Sequence, residues 1–403
     1  MKNLTLTDIN IARDRIRGSV YLSPCAYSEI LSNLLGCELY LKLENLQITG
    51  SFKERGALNK ILQLSDAQKK NGVITASAGN HAQGVAHAAR QNQIPATIVM
   101  PETTPLAKIR GTQELGASIV LYGSNYDESY ARAVELQQEK GLSFVHAFDD
   151  SAIIAGQGTI GLELLEQVPD MEIVVIPVGG GGLIAGVALA IKENRPDVRV
   201  VGVEAERMPA MQASITAGKV EILRAANTIA DGLSVARVGE HTLPLVRQYV
   251  SEIVTVAEEE IAYAIMALLE HEKTLAEGAG AVGFAALSNH HIKDIKDKKV
   301  VLVISGGNID MSTLSLILKR GMESDGRLAW LKIVVPDKPG NIAALATIIA
   351  EHHANILEIS QNRSVSEVEL NETEVDLLLE TKGREHINVI KKYFLDQGYC
   401  IKD

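Results

Sequence analysis

Nineteen consecutive residues without a charge, Ile173 to Ile191, constrain this 403-residue chain more than any other stretch. The run approaches the roughly 20 residues with which a helix crosses a bilayer. Pro177 and the glycines Gly179 to Gly182 forbid one continuous helix, however. They divide the run into a β-branched strand, IVVIPV, and a small-residue helix, LIAGVALAI. A buried strand that feeds a helix through glycines is the unit of a parallel α/β sheet, so the run is read as protein core and not as a membrane span.

Similar β-branched runs recur at 38–43, 72–76, 96–100, 118–122, 172–178, 198–204 and 299–305. Alanine-rich segments lie between them, such as HAQGVAHAARQN and EEEIAYAIMALLEHEKTLAEGAGAVGFAALSNH. The alternation predicts an α/β fold with largely parallel sheets. An aromatic content of only 4% suits close packing of helix on sheet. At the amino terminus, Ile9, Ala12 and Ile16 have the spacing of an amphipathic helix capped near Thr7, and there is no apolar core of signal-peptide length.

Near residue 320 the pattern changes, because the charged segment KRGMESDGR ends a helix and the sole tryptophan, Trp330, opens a strand. Residues 1–320 are therefore read as one domain of two α/β subdomains, the smaller spanning roughly 50–150, followed by a linker at 321–328 and a second domain at 329–403. The second domain reads strand (329–335), helix (341–353), strand (354–361), strand (373–380), helix (384–397), strand (398–402). That order is βαββαβ, the ferredoxin-like arrangement.

A net charge of −11 opposes binding to nucleic-acid phosphates and to anionic membranes, so neither is expected as a partner. Cys25, Cys37 and Cys400 are too scattered for a disulfide framework or a four-thiolate metal site. A reducing, cytoplasmic location is expected.

Four glycine-flanked polar clusters follow predicted strands, where open parallel sheets bind ligands. Gly179 to Gly182 with Leu183 is the first. A tight turn needs one or two glycines, whereas four in a row at a helix start make a cradle for an anion. Neither a Walker lysine nor the acidic residue of a dinucleotide fingerprint follows, which favours a monophosphate over ATP or NAD. The second is Ser51, Phe52, Lys53, Glu54, Arg55, Gly56, Ala57. A lysine in the first turn of a helix meets the positive end of the dipole, which lowers its proton affinity toward the neutral amine of Schiff-base chemistry. Taken alone, Lys53 also reads as an ordinary surface lysine.

The third is Ser77, Ala78, Gly79, Asn80, His81, whose backbone amides suit a carboxylate and which reads equally as an N-cap before an alanine-rich helix. A lone histidine such as His81 is more often structural than an acid or base. The fourth, Ser305, Gly306, Gly307, Asn308, reads alone as a loop with one hydroxyl at the end of a buried strand.

Together, SFKERGA, SAGNHAQG, GGGGL and SGGN, in this order and at these separations, closely resemble the fold-type II pyridoxal-phosphate enzymes, in particular the threonine ammonia-lyase (threonine dehydratase) family. The resemblance covers residues 1 to 320 and implies a tryptophan-synthase-β-like catalytic domain. It implies Lys53 as the Schiff-base lysine beside Phe52, Asn80 at the cofactor's 3′ oxygen, Gly179 to Leu183 at its phosphate and Ser305 at its pyridine nitrogen. The amides of Ser77, Ala78, Gly79, Asn80 and His81 would take the substrate carboxylate. A serine facing the pyridine nitrogen leaves it unprotonated, which favours prompt loss of the β-hydroxyl over transamination. The implied reaction converts L-threonine to 2-oxobutanoate and ammonia. One methyl group separates L-serine from threonine, so some serine turnover is expected.

Serine racemases are similar here but carry a second serine where this chain has Ala78, which argues for elimination over racemisation. They also place an acidic cation site near the position of Glu204. The downstream RMPAMQAS lacks the partner aspartate, so at most a weak or monovalent cation is expected. The carboxy-terminal part, with DKPGN and ANI, resembles an ACT domain, an amino-acid-sensing module. It implies an effector such as isoleucine or valine near Gly340 and Asn341, and a homo-oligomer, expected to be a tetramer. The physiological route, isoleucine biosynthesis or amino-acid catabolism, stays open, as do a serine dehydratase or racemase-like activity and a catalytically silent amino-acid sensor.

Overall fold

In the computed structural model, which describes residues 4–402 apart from 225, 364–368 and 370, the chain divides into two units, Met1–Ile309 and Asp310–Asp403. The first unit contains β1 (Cys25–Tyr27), β2 (Glu38–Leu43), β3 (Val73–Ala76), β4 (Ala96–Met100), β5 (Ser118–Leu121), β6 (Ser143–Phe144), β7 (Ile173–Pro177), β8 (Arg199–Ala205), β9 (Glu252–Val256) and β10 (Lys299–Ile304). They form a six-stranded sheet in the order β1-β2-β10-β7-β8-β9 and a four-stranded sheet in the order β5-β4-β3-β6. All pairings are parallel except β1 with β2.

Every residue of β7 is buried, as a strand covered by helices on both faces must be. The Gly182–Asn194 helix is buried from Gly182 through Ile191 because its alanines and glycines let it approach the sheet and the Ser151–Gln167 helix. A methyl on Gly158 would lie 2.7 Å from Ile9 and 2.9 Å from the Gly186 carbonyl, so these helices meet backbone to backbone. Among the described residues no helix is long and apolar enough to cross a membrane.

The second unit contains β11 (Leu328–Pro336), β12 (Asn355–Asn362), β13 (Glu372–Glu380) and β14 (Cys400–Lys402), in the order β12-β13-β11-β14 and antiparallel throughout. The helices Asn341–Glu351 and Arg384–Asp396 supply Leu345, Ile349, Ile390 and Phe394 to a core shared with Ile333 and Leu377. This is the βαββαβ order expected from the sequence.

Two local features differ from the sequence reading, and a third refines it. The first helix, Leu6–Ile16, is capped by Thr5 and not near Thr7, because the Thr5 N–H and hydroxyl both donate to Asp8 Oδ2 at 2.9 and 2.7 Å. The alanine-rich segment after residue 257 is two helices, Glu258–Glu272 and Gly278–Ser288, parted where Lys273 adopts a left-handed φ of 54°. The contact boundary falls between Ile309 and Asp310, ahead of the 321–328 segment read as a linker, because the Met311–Ser324 helix packs on β11.

Beneath the first sheet lies a buried ionic network. Arg55, 1% exposed, donates Nε and Nη2 to the Glu44 carboxylate, both at 2.8 Å, and Nη1 and Nη2 to Glu163 at 2.6 and 2.9 Å. Lys42, fully buried, donates to the same Glu163, to Gln167 and to the Ser23 carbonyl. Burial, the largest single influence, would raise the Glu44 carboxyl, but the Arg55 charge and hydrogen bonds together with Lys42 and Ser23 outweigh it and hold the group below its ordinary value. Removing one partner strands the others, which costs about 3–5 kcal/mol for a buried pair. Arg55→Met is therefore expected to lower the unfolding free energy by about 3–5 kcal/mol in urea titration, whereas a loss below about 1 kcal/mol would contradict this account.

Candidate active site

The carboxyl ends of β2, β3, β7 and β10 open into the four clusters singled out in the sequence, and backbone contacts draw several of them together. Phe52 N donates to the Ser305 carbonyl at 3.1 Å and Gly307 N to the Gly50 carbonyl at 2.9 Å. Ser51 forms an isolated bridge with Gly306, and Asn308 Nδ2 donates to the Thr49 carbonyl at 2.8 Å. The segment before Lys53 is thus stitched to the loop after β10.

Lys53 is the first residue of the Lys53–Leu62 helix, with Nζ donating to the Ala147 carbonyl at 2.9 Å and lying 5.1 Å from the Phe52 ring centroid. Burial pulls its pKa from 10.5 down to about 8, against the opposing charge of Glu277. A neutral fraction of the amine is therefore available near neutral pH, as nucleophilic or proton-abstracting chemistry needs. Gly84 makes this placement possible, since a methyl there would sit 3.0 Å from the Lys53 carbonyl carbon.

The glycine tetrad is packed where side chains have no room. A Cβ on Gly180 would enter the Phe148 ring, one on Gly182 would lie 2.9 Å from the Phe148 Cβ, and Gly181 has φ +92°. Phe148 is clamped, because its N–H and that of Asp149 donate to His146 Nδ1 at 3.2 and 2.8 Å. Thr242 Oγ1 holds the Gly180 carbonyl at 2.7 Å. Among the described residues, none of the backbone N–H groups from Gly179 to Ile184 donates to a protein acceptor. Six unspent donors at a helix N-terminus form an anion site.

A second set lies at the start of the Asn80–Gln91 helix. The N–H of Ser77 is spent on the Val99 carbonyl at 3.1 Å and that of Gly79 on Ser77 Oγ at 3.3 Å. Those of Ala78, Asn80 and His81 remain without a protein acceptor among the described residues. His81 Nε2 binds the Val145 carbonyl at 2.9 Å, and burial together with the Lys53 charge pushes its pKa down to about 3, so it is a neutral structural histidine. Ser305, 2% exposed, follows β10 and presents a hydroxyl with no protein partner among the described residues.

Glu277 was not found from the sequence. It is 3% exposed, accepts from Asn80 Nδ2 at 2.6 Å, and reaches the site only because the long helical segment breaks before it. One signal was legible: between Lys273 and Lys293, Glu277 is the sole Asp, Glu, Lys or Arg. Phe148 is a second site residue with no motif to announce it.

Glu204 is fully buried, and both of its oxygens are spent on the Ala210–Ala217 helix, accepting from Met211 N at 2.8 Å and Gln212 N at 2.9 Å. No cluster of three or more His, Cys, Asp or Glu suited to a metal occurs among the described residues. In the second unit, Gly340 has φ +98° ahead of the Asn341–Glu351 helix, and Asn341 Nδ2 donates to the Pro336 carbonyl at 2.5 Å. Asp337 of the same turn is held by Arg363 Nε at 2.7 Å.

Residues 16–306 match the family model for pyridoxal-phosphate dependent enzymes, and residues 329–388 match the ACT domain model. The chain is 49% identical to L-threonine ammonia-lyase of Thermotoga maritima over 99% of both chains. Threonine deaminase isoform 2 of Solanum lycopersicum, in its processed form, superposes with a TM-score of 0.74 at 41% identity, covering 78% of this chain and 86% of that one. Maize serine racemase superposes with a TM-score of 0.75 at 35% identity, over 80% of this chain and 99% of that one.

Burial pushes the pKa of Glu204 from 4.5 up to about 7, and that of Glu277 to about 7 as well. A carboxyl that keeps its proton in the folded state after the unfolded chain has lost it makes stability fall as pH rises between the two values. Glu204 and Glu277 thus each subtract stability between about pH 5 and about pH 7, whereas the buried His81 adds stability as pH rises to about 6.5, so Glu204→Gln should shift the slope of unfolding free energy against pH upward relative to wild type. An unaltered slope in urea titrations of the variant would count against the assignment.

Proposed function

The chain belongs to the pyridoxal-phosphate dependent enzyme family, within its threonine ammonia-lyases, and from that premise we propose that it deaminates L-threonine to 2-oxobutanoate and ammonia by β-elimination of water. The observation that carries the proposal is the pairing of Lys53, whose amine burial brings to about pKa 8, with six unspent N–H donors at the glycine loop. The donor set fits the cofactor: the loop for a phosphate, Lys53 for an aldehyde, Asn80 for a phenolic oxygen and the buried Ser305 hydroxyl for a pyridine nitrogen.

When bound, the cofactor supplies the electron sink for the charge left by α-proton removal. The Lys53 amine is the base for that proton. Free amides of Ala78, Asn80 and His81 orient the substrate carboxylate. Ala78 offers no hydroxyl, so a second proton donor of the racemase kind is missing from this loop and elimination is favoured. Lys53, carrying the abstracted proton, is placed to return it to the departing β-hydroxyl, and the released enamine hydrolyses to the 2-oxo acid. L-Serine, one methyl smaller, is turned over to pyruvate as a secondary substrate.

The ACT domain supports regulation by an amino acid, proposed as isoleucine or valine, at the turn of Gly340 and Asn341. Self-association into a tetramer is proposed on two surfaces. Strand β12 is paired on one side only and exposes Leu357 and Ile359. In the first unit, the ten uncharged residues Ser19 to Ser28 expose Tyr21, Leu22 and Tyr27, where two chains of net charge −11 repel least.

The deciding experiment measures 2-oxo acid from L-threonine and L-serine, with and without isoleucine. Threonine turnover is expected to exceed serine turnover and to respond to isoleucine. Lys53→Ala should reduce turnover about 10³-fold or more, and wild-type rates in that variant would end the mechanism. A preference for serine would move the assignment to a serine dehydratase.

A further inference from the structure

Glu277 stands at the N-cap position of the Gly278–Ser288 helix, yet its side chain makes no capping hydrogen bond there. A carboxylate at that position ordinarily accepts from the first-turn N–H groups and gains from the helix dipole. This one is turned across the site to Asn80 Nδ2, at 2.6 Å. Space is kept for it by Gly306, since a methyl on that residue would lie 2.5 Å from Glu277 Oε1. A 3%-exposed carboxylate that forgoes its local role is expensive to keep, and nothing in the elimination described above uses it.

The hydrogen bonds around Asn80 run in one direction. Asn308 Nδ2 donates to Asn80 Oδ1 at 2.7 Å, and Asn80 Nδ2 donates to Glu277 Oε1. The amide is thereby fixed with its oxygen spent and one N–H left over. Charged groups face Glu277 from three other elements. Lys53 belongs to the Lys53–Leu62 helix, Lys108 to the Leu106–Glu114 helix and Asp231 to the Asp231–Leu233 turn. Lys108 and Asp231 are themselves paired at 2.9 Å, so the charge of each on Glu277 is partly offset by the other. Lys53 is left as the cation whose proton the carboxylate charge favours.

We propose that Glu277 is a positioning residue of the catalytic centre, turning the remaining Asn80 N–H toward the bound cofactor's ring oxygen and holding negative charge opposite the Lys53 nitrogen. The inference rests on the cofactor-binding reading above and is independent of which amino acid is the substrate. Burial, and after it Asp231, raise the Glu277 carboxyl to about 7, so its charge changes near neutral pH.

The test uses the full-length, cofactor-loaded protein without substrate, comparing wild type with Glu277→Gln and Glu277→Ala. Two readouts are taken: the pH midpoint of the bound cofactor's visible absorbance, and the rate at which cofactor is lost on dilution. Removing the negative charge destabilises the protonated Lys53 nitrogen, so both variants should lower the midpoint by about one pH unit. Glutamine retains an oxygen that can accept from Asn80, so Glu277→Gln should lose cofactor within about threefold of wild type, and Glu277→Ala about tenfold faster or more. Midpoints equal to wild type in both variants would overturn the proposal, even with lowered melting temperatures, because a purely structural role predicts that result. So would cofactor loss from Glu277→Ala at the wild-type rate. A protein that passes both readouts but leaves threonine untouched would sink the proposed function and leave this inference standing.

Discussion

Everything at the catalytic end of the first unit depends on where one short helix points, and Arg55 decides that. Two residues beyond Lys53, its guanidinium is gripped by Glu44 after β2 and by Glu163 of the Ser151–Gln167 helix. A buried ionic cluster of this kind seldom stabilises a fold more than apolar packing of equal volume would. What it does supply is direction, because a planar fork with both carboxylates satisfied has one orientation. Gly56, next in sequence, lets the helix lie against Gly156 with no side chain between them. The amine of Lys53 inherits its placement from these neighbours.

Three helix N-termini then converge on the same space. Those beginning at Lys53, Asn80 and Gly182 each add a positive end of a backbone dipole. Two of them leave N–H groups unspent, which suits a ligand carrying a phosphate and a substrate carrying a carboxylate. The third carries the lysine whose charged form such a field disfavours. Glu277 enters this positive region as a counterweight, so the proton affinity of Lys53 reflects a balance between burial and one carboxylate.

Much of this was legible in the sequence. The strands at 38–43 and 96–100 coincide with β2 and β4, and the glycine clusters sit at strand ends as their spacing required. The ferredoxin-like order of the second unit was equally plain, because its apolar alternation is local. Other features were hidden because they depend on contacts across great sequence distance. Asn80 and Glu277 meet over 197 residues, and neither carries a motif naming the other. The break at Lys273 went unread because alanine-rich text on both sides has one helical period, and a left-handed residue there has no glycine to mark it. Glu204 shows the opposite case: the resemblance to serine racemases marked its position as a cation site, and the fold spends both of its oxygens on a helix N-terminus.

The glycine tetrad also sets how this gene can vary. Gly179 lies against the Gly232 carbonyl, Gly180 and Gly182 against Phe148, and Gly181 is left-handed as well as crowded. Any change in the first or second base of a glycine codon that still encodes an amino acid adds at least a Cβ. At Gly180, Gly181 and Gly182 an added Cβ would come within 3.0 Å of a neighbour, so these three adjacent codons are confined to silent third-base changes, and drift must go around them.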